Sequence, residues 1–186
     1  MRRLLVPILL AAALAGCART SGTVEIPPEE LPFPIARTPS PTETVAPARR
    51  SIVYFIRDGR LVVVARDVPS DGPPVEGSLR ALLEGPSRSD LRARIQTEIS
   101  ADVRLLEILL DGSTAHVDLS GEFQQPASPD RVALRVAQVV WTATEIPGVT
   151  AVTFAIDGEP VEIATGDGTV VGRAVNRSDY LAFAPG

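Results

Sequence analysis

The chain has 186 residues and carries 23 acidic against 18 basic side chains, giving a formal net charge of −5. This length suits one domain of ordinary size plus an additional segment. An acidic chain without basic clusters argues against nucleic acid as a partner and against electrostatic docking on anionic lipids. Cys17 is the only cysteine, which excludes an intrachain disulfide.

The first 17 residues, MRRLLVPILLAAALAGC, contain two arginines, an apolar run and small residues before the cysteine. The apolar run is shorter than the roughly 20 residues that a membrane-spanning helix needs, and the pattern is typical of a secretory signal. The final LAGC resembles the lipobox of bacterial lipoprotein precursors. That resemblance implies a signal peptide over residues 1–16 and lipid attachment at Cys17. The alternative is a plain signal peptide followed by an unmodified thiol.

Lipidation at Cys17 implies at least two acyl chains, which are enough for stable membrane anchoring. We therefore expect the mature protein on the extracytoplasmic face of the cell membrane. Residues 17–50 are rich in Pro, Ser, Thr and Glu and have almost no hydrophobic periodicity. Such a segment cannot bury a core and favours extended polyproline geometry. It is predicted to be a disordered tether, with a folded domain over residues 51–186.

Three Asp-Gly pairs between apolar runs predict three β-hairpins, because a tight type I′ turn needs positive φ at both central residues. The predicted pairings are 52–57 with 60–65, 104–110 with 113–119, and 151–156 with 159–163. Pro160 places the last strand at a sheet edge.

Two helices are predicted between the hairpins. Val75, Leu79 and Leu82 recur at helical spacing before the stop signal Gly85-Pro86. The second helix begins with Ser128 as N-cap and Pro129 at its first position. Its polar residues fall on one narrow strip opposite a wide apolar face, namely Arg131, Arg135, Gln138 and Thr142. Together these elements predict a single α+β domain, with two helices packed on a mostly antiparallel sheet built from the three hairpins.

The stretch TAHVDLSGEF at residues 114–123 contains the only histidine, His116, with two carboxylates nearby. With Asp111-Gly112 as a two-residue turn, His116 lies opposite Glu107 on the face away from the core. His116 is therefore predicted to be half of a cross-strand polar pair.

Asp118 and Glu122 are the best candidates for an acid pair. Four residues of extended strand separate them by roughly 13 Å, whereas glycosidase carboxylates lie about 5–9.5 Å apart. The sequence has no nucleophile elbow, no cluster of zinc ligands and no phosphate-binding loop. We predict no catalytic residue, metal site or cofactor, and no enzymatic activity.

The first predicted hairpin is apolar on both faces, so each face needs a cover. The C-terminal stretch YLAFAPG, from Tyr180, is the predicted second cover; the alternative is a partner protein.

The segments VYFIRDGRLVVVAR, LRALLEGP, VDLSGEF and RVAQVVWTATEIPGVTAVTFAIDGEPV, in this order, resemble the GerMN domain. The resemblance covers about Ile52 to Val161. It implies an envelope module without established catalytic residues, found in spore formation and germination proteins and in membrane lipoproteins.

Three functions follow as expectations. The first is a lipid-anchored, noncatalytic protein-interaction module that docks on an unidentified envelope protein. The second is a sensor that binds a small molecule or a cell-wall fragment. The third is a hydrolase that uses Asp118 and Glu122. The oligomeric state does not follow from the sequence.

Overall fold

The computed structural model describes residues 47–186, so the predicted signal peptide, Cys17 and most of the tether lie outside the described residues. The elements, in chain order, are β1 (Ala48–Arg57), β2 (Arg60–Pro69), α1 (Pro74–Leu83), α2 (Arg88–Arg92), β3 (Leu105–Asp111), β4 (Thr114–Leu119), a 3₁₀ helix (Gly121–Gln124), α3 (Pro129–Ala143), β5 (Ala151–Ile156), β6 (Glu159–Pro160), β7 (Ile163–Ala164), β8 (Val170–Val171) and a C-terminal 3₁₀ segment (Arg177–Phe183). Residues 48–50, which the sequence analysis assigned to the tether, belong to β1.

β1 and β2 form the first predicted hairpin, with Ile56 opposite Leu61. Asp58 and Gly59 at the turn have φ values of 53° and 76°. Positive φ at both central residues is the type I′ geometry that Asp-Gly favours. The sequence therefore predicted both this turn and its register correctly.

The second hairpin forms, but its predicted register is wrong by one residue at the turn. Asp111 pairs with Thr114, so Gly112 and Ser113 are the two turn residues, and Gly112 has a φ of 56°. A glycine at the first central position suits a tight hairpin as well as Asp-Gly does. The correct pairing places Leu109, not Glu107, opposite His116.

The third predicted hairpin is shorter than expected. β6 contains only Glu159 and Pro160, paired with the end of β5, and it lies at the edge of its sheet as Pro160 predicted. The chain then forms a separate small hairpin from β7 and β8.

The three predicted hairpins do not share one sheet. β1 and β2 form a two-stranded sheet, and a four-stranded sheet has the order β3-β4-β5-β6. β4 and β5 are parallel and are joined through α3, because parallel neighbours need a long crossover connection. The α+β class and the mainly antiparallel pairing are confirmed.

Both predicted helices are present. α1 ends before Gly85, whose φ of 80° favours glycine. α3 begins at Pro129 with Ser128 as its N-cap residue, although the Ser128 side chain makes no capping hydrogen bond.

The polar strip of α3 is buried along most of its length, and only Arg131 at its N-terminal end is exposed. Gln138 has 0% exposure and Thr142 is equally inaccessible. The Tyr54 N–H donates to Thr142 Oγ1 at 3.1 Å, and Gln138 Nε2 donates to the Tyr54 carbonyl at 3.1 Å. Gln138 and Thr142 therefore bind the backbone edge of β1 that β2 leaves open, which protects that edge from other strands.

The C-terminal 3₁₀ segment contacts α3 and β2, as the predicted cover requires. Tyr180 is fully buried, and its hydroxyl donates to the Ala164 carbonyl at 3.1 Å. Arg177 lies over the rings of Tyr54 and Trp141 at 5.6 and 4.6 Å. This segment thus contributes to covering the first hairpin.

Candidate functional site: the open face of the four-stranded sheet

The four-stranded sheet has one buried and one accessible face. Ala115, Val117 and Leu119 of β4 are buried, and the residues between them are not. β5 alternates in the same way, because successive side chains of a strand point to opposite faces. We call the accessible side the open face.

Strand register determines which side chains are neighbours on the open face. One row across the sheet contains Leu109, His116 and Thr153, and the next contains Glu107, Asp118 and Ala155. His116 is exposed, and its Nδ1 lies 2.6 Å from Thr153 Oγ1. The predicted His116–Glu107 pair is therefore replaced by a His116–Thr153 pair. A parallel partner strand so far along the chain was not evident from local patterns.

A groove of about 470 Å³ lies on the open face. Its walls combine polar side chains of both rows with apolar residues beyond β5, among them Pro160, Val161 and Ile163. This volume is in the range of small-ligand sites, which also combine apolar walls with a few polar groups.

The open face is acidic. By strand register Glu107, Asp111 and Asp118 lie on this face, whereas Glu159 is paired with the buried Ile156 and belongs to the other face. The four strands contain no arginine. Arg173, which lines the groove, is paired with Asp179. Glu107 and Asp118 are direct cross-strand partners, and like charges in that position repel. Neither forms an ion pair among residues 47–186; the Gly158 N–H donates to Asp118 Oδ1 at 3.1 Å.

β3 exposes three large apolar side chains: Leu106, Leu109 and Leu110 are 46%, 55% and 52% accessible. β3 is the outermost strand on its side of the sheet, and no other described segment bridges to its outer edge. An exposed apolar edge strand is a template for association with another chain. The sequence LLEILL indicated this exposure, because its leucine and isoleucine residues fall on both faces of a strand.

The proposed acid pair has no support in the geometry of Glu122. This residue lies in the 3₁₀ helix after β4, and its Oε2 is buried without a hydrogen-bond partner in the described part of the chain. A hydrogen bond from the Ser120 side chain lowers the pKa of the Glu122 carboxyl. A glycosidase acid needs a raised pKa, so Glu122 is poorly suited to donate a proton at neutral pH.

The described residues contain no group of three or more His, Cys, Asp or Glu side chains placed to hold a metal ion. Over residues 47–186, no helix has the length and apolar character to cross a membrane.

These features define a small α+β domain with an acidic, partly apolar open sheet face. The sequence matches the family model Germane, described as sporulation and spore germination, over residues 52–162. The match covers more than half of the chain, which therefore belongs to this family and is a GerMN-domain protein.

Two solved structures are similar in fold. The first GerMN domain of the sporulation protein GerM from Bacillus subtilis has 25% sequence identity and a TM-score of 0.52, covering 70% of this chain and 98% of that one. The tandem GerMN domains of the same protein have 18% identity and a TM-score of 0.56, covering 77% of this chain. This chain corresponds to 50% of the tandem structure's length. A search of curated proteins finds no match.

Proposed function

We propose that this protein is a lipid-anchored lipoprotein on the extracytoplasmic face of the cell membrane, and that its GerMN domain is a noncatalytic protein-interaction module. The observation that supports the interaction role is the open face, where the exposed Leu109 of the outermost strand β3 lines a groove. A large apolar side chain such as Leu109, kept in water, has a free-energy cost that a partner's surface would remove.

The anchor rests on Cys17 and its lipobox-like surroundings. Mass spectrometry of the membrane-extracted protein should find a mature N-terminus at Cys17 carrying a diacylglyceryl thioether and an N-acyl chain. The Cys17→Ala variant should lose both the lipid and membrane retention. An unmodified thiol on the membrane-bound wild type would contradict this part of the proposal.

The interaction role is tested by placing a photo-crosslinking amino acid at Leu109 of the full chain in intact cells. Leu181 is the matched control, because it is 63% exposed and belongs to the C-terminal segment rather than the sheet. A protein adduct at position 109 that is absent at position 181 supports docking on the open face. Equal labelling at both positions, or none at position 109, would refute it.

The groove gives specific support to a second candidate function, the binding of a small molecule or cell-wall fragment. His116 and Thr153 present polar atoms between its apolar walls, as ligand sites require. Muropeptides titrated into the mature chain should then shift the NMR signals of His116 and Thr153 but not those of Leu181. Saturable shifts without any protein adduct at position 109 would favour this second function.

A further inference from the structure

The fold assembles a basic surface that the sequence analysis did not find. α2 exposes Arg88, Arg92 and the side chain of Leu91, which is 57% accessible, and Arg94 follows in the next turn. Within residues 47–186, none of these arginines forms an ion pair. The one acid of α2, Asp90, already pairs with Arg66.

A second arginine-bearing segment lies next to α2. Ile56 and Gln96 exchange two backbone hydrogen bonds of 2.8 and 2.7 Å. This antiparallel bridge brings the tip of the first hairpin, with exposed Arg57 and Arg60, beside the residues that follow α2. Asp58 between them leaves the tip net positive. We define the basic patch as Arg57, Arg60, Arg88, Leu91, Arg92 and Arg94.

The basic patch and the open face are complementary in charge, and each exposes a leucine side chain. The patch contains five arginines and Leu91, and the open face has carboxylates on either side of Leu109 that form no ion pair within residues 47–186. We propose that the open face of one copy binds the basic patch of a second copy. This inference rests on the proposed function, because it names the partner that the open face takes.

The two surfaces are formed by different elements, so the contact is head to tail. In a head-to-tail pair, the open face of one copy and the basic patch of the other remain free, so further copies can add. A twofold dimer differs because the same surface of each copy is used in the contact. Arginines near Glu107 and Asp118 would also relieve the cross-strand repulsion between these carboxylates. The association should therefore weaken as salt increases, because exposed charges are screened over about 10 Å at 0.1 M ionic strength.

The test uses the chain from Cys17 onward with Cys17→Ser, which removes the lipid but keeps the tether. Sedimentation equilibrium is measured up to about 0.5 mM, so that dissociation constants approaching the millimolar range can be detected. Wild type should self-associate at low salt, and the association should fall at least about tenfold in 0.3 M salt, as charge-steered contacts do. A monomer under all these conditions overturns the inference.

Charge reversal identifies the surfaces. Glu107→Arg/Asp111→Arg reverses the open face, and Arg88→Glu/Arg92→Glu reverses the basic patch. Each double variant should associate at least about tenfold more weakly than wild type, because like charges then meet. The variant with all four changes has the wild-type net charge, and it should recover association to within about threefold.

Arg50→Glu/Asp71→Arg is the control, because it changes one exposed residue of each sign outside both surfaces and should associate like wild type. Far-ultraviolet circular dichroism verifies that every variant is folded. Loss of association in the control, or no recovery in the fourfold variant, would overturn the inference.

The outcome also separates this inference from the proposed function. A monomeric wild type together with a different protein crosslinked at Leu109 leaves the interaction module intact and removes only the self-association. An unlabelled position 109 together with a monomeric chain removes both.

Discussion

Replacing Gln138 with methionine tests whether the α3–β1 contact is a main source of stability. Gln138 Oε1 accepts the Glu98 N–H at 2.9 Å, and Nε2 donates to the Tyr54 carbonyl at 3.1 Å. Methionine has a similar size but leaves both backbone groups without this partner. Each orphaned buried group costs about 1–3 kcal/mol, and the added apolar surface returns about 1 kcal/mol. We expect the free energy of unfolding to fall by about 2–4 kcal/mol.

Urea unfolding followed by tryptophan fluorescence measures this change, since Trp141 is the only tryptophan and lies in α3. Gln96→Met is the matched control: the Gln96 side chain is exposed and only its backbone pairs with β1. Its unfolding free energy should stay within about 0.5 kcal/mol of wild type. The explanation fails if Gln138→Met loses less than about 0.5 kcal/mol, or no more than the control.

The stability of the domain should also depend on pH in two ways. Burial raises the pKa of Tyr54 to about 12 and also raises the pKa of Tyr180. The free energy of unfolding should therefore be unaffected by these groups up to about pH 10, where unfolded tyrosines ionise. It should fall as pH rises through about 12. Ultraviolet titration of the native chain should show little phenolate near pH 10; ionisation there would contradict the burial. Burial alone would raise the pKa of Asp90, but hydrogen bonds from Ser87 and Arg66 lower it by more, so the net shift is downward. Asp90→Asn should thus cost about 1 kcal/mol at pH 7. The cost should shrink as pH falls below about 3.9, where the unfolded carboxyl takes up a proton, and through the lowered pKa of the folded state. An equal loss at neutral and acidic pH would refute this explanation.

The turns show how far local sequence determines strand pairing. Asp58-Gly59 and Asp157-Gly158 adopt positive φ at both residues, as the Asp-Gly signal predicts. At Asp111, the sequence Asp-Gly-Ser offers two overlapping tight turns, and LLEILL is apolar at either parity. Moving the turn by one residue changes the cross-strand neighbours but keeps each side chain on its face. The sequence could therefore predict that His116 faces away from the core, but not which residue it contacts.

The surroundings of the polar strip of α3 could not be predicted from the sequence, for a different reason. A helical wheel separates polar from apolar positions, but it does not say whether the polar strip meets water or another polar surface. The strip of Gln138 and Thr142 meets the backbone of β1, which is itself a row of donors and acceptors. Pairing between β1 and this helix depends on residues far apart in the chain, which no local pattern contains. The same limit hid the parallel β4–β5 pairing and the Thr153 partner of His116.

The first hairpin and β3 share one sequence signal but differ in how the fold resolves it. Both are apolar at successive positions, which indicates two faces in need of cover. In the first hairpin, α3 and the C-terminal segment contact the strands, and Phe55 and Tyr54 are buried. β3 has no such cover on its open side, where Leu109 is exposed beside two unpaired carboxylates. A two-faced apolar strand therefore indicates an interaction surface only where the chain supplies no second cover, and β3 meets that condition among the described residues.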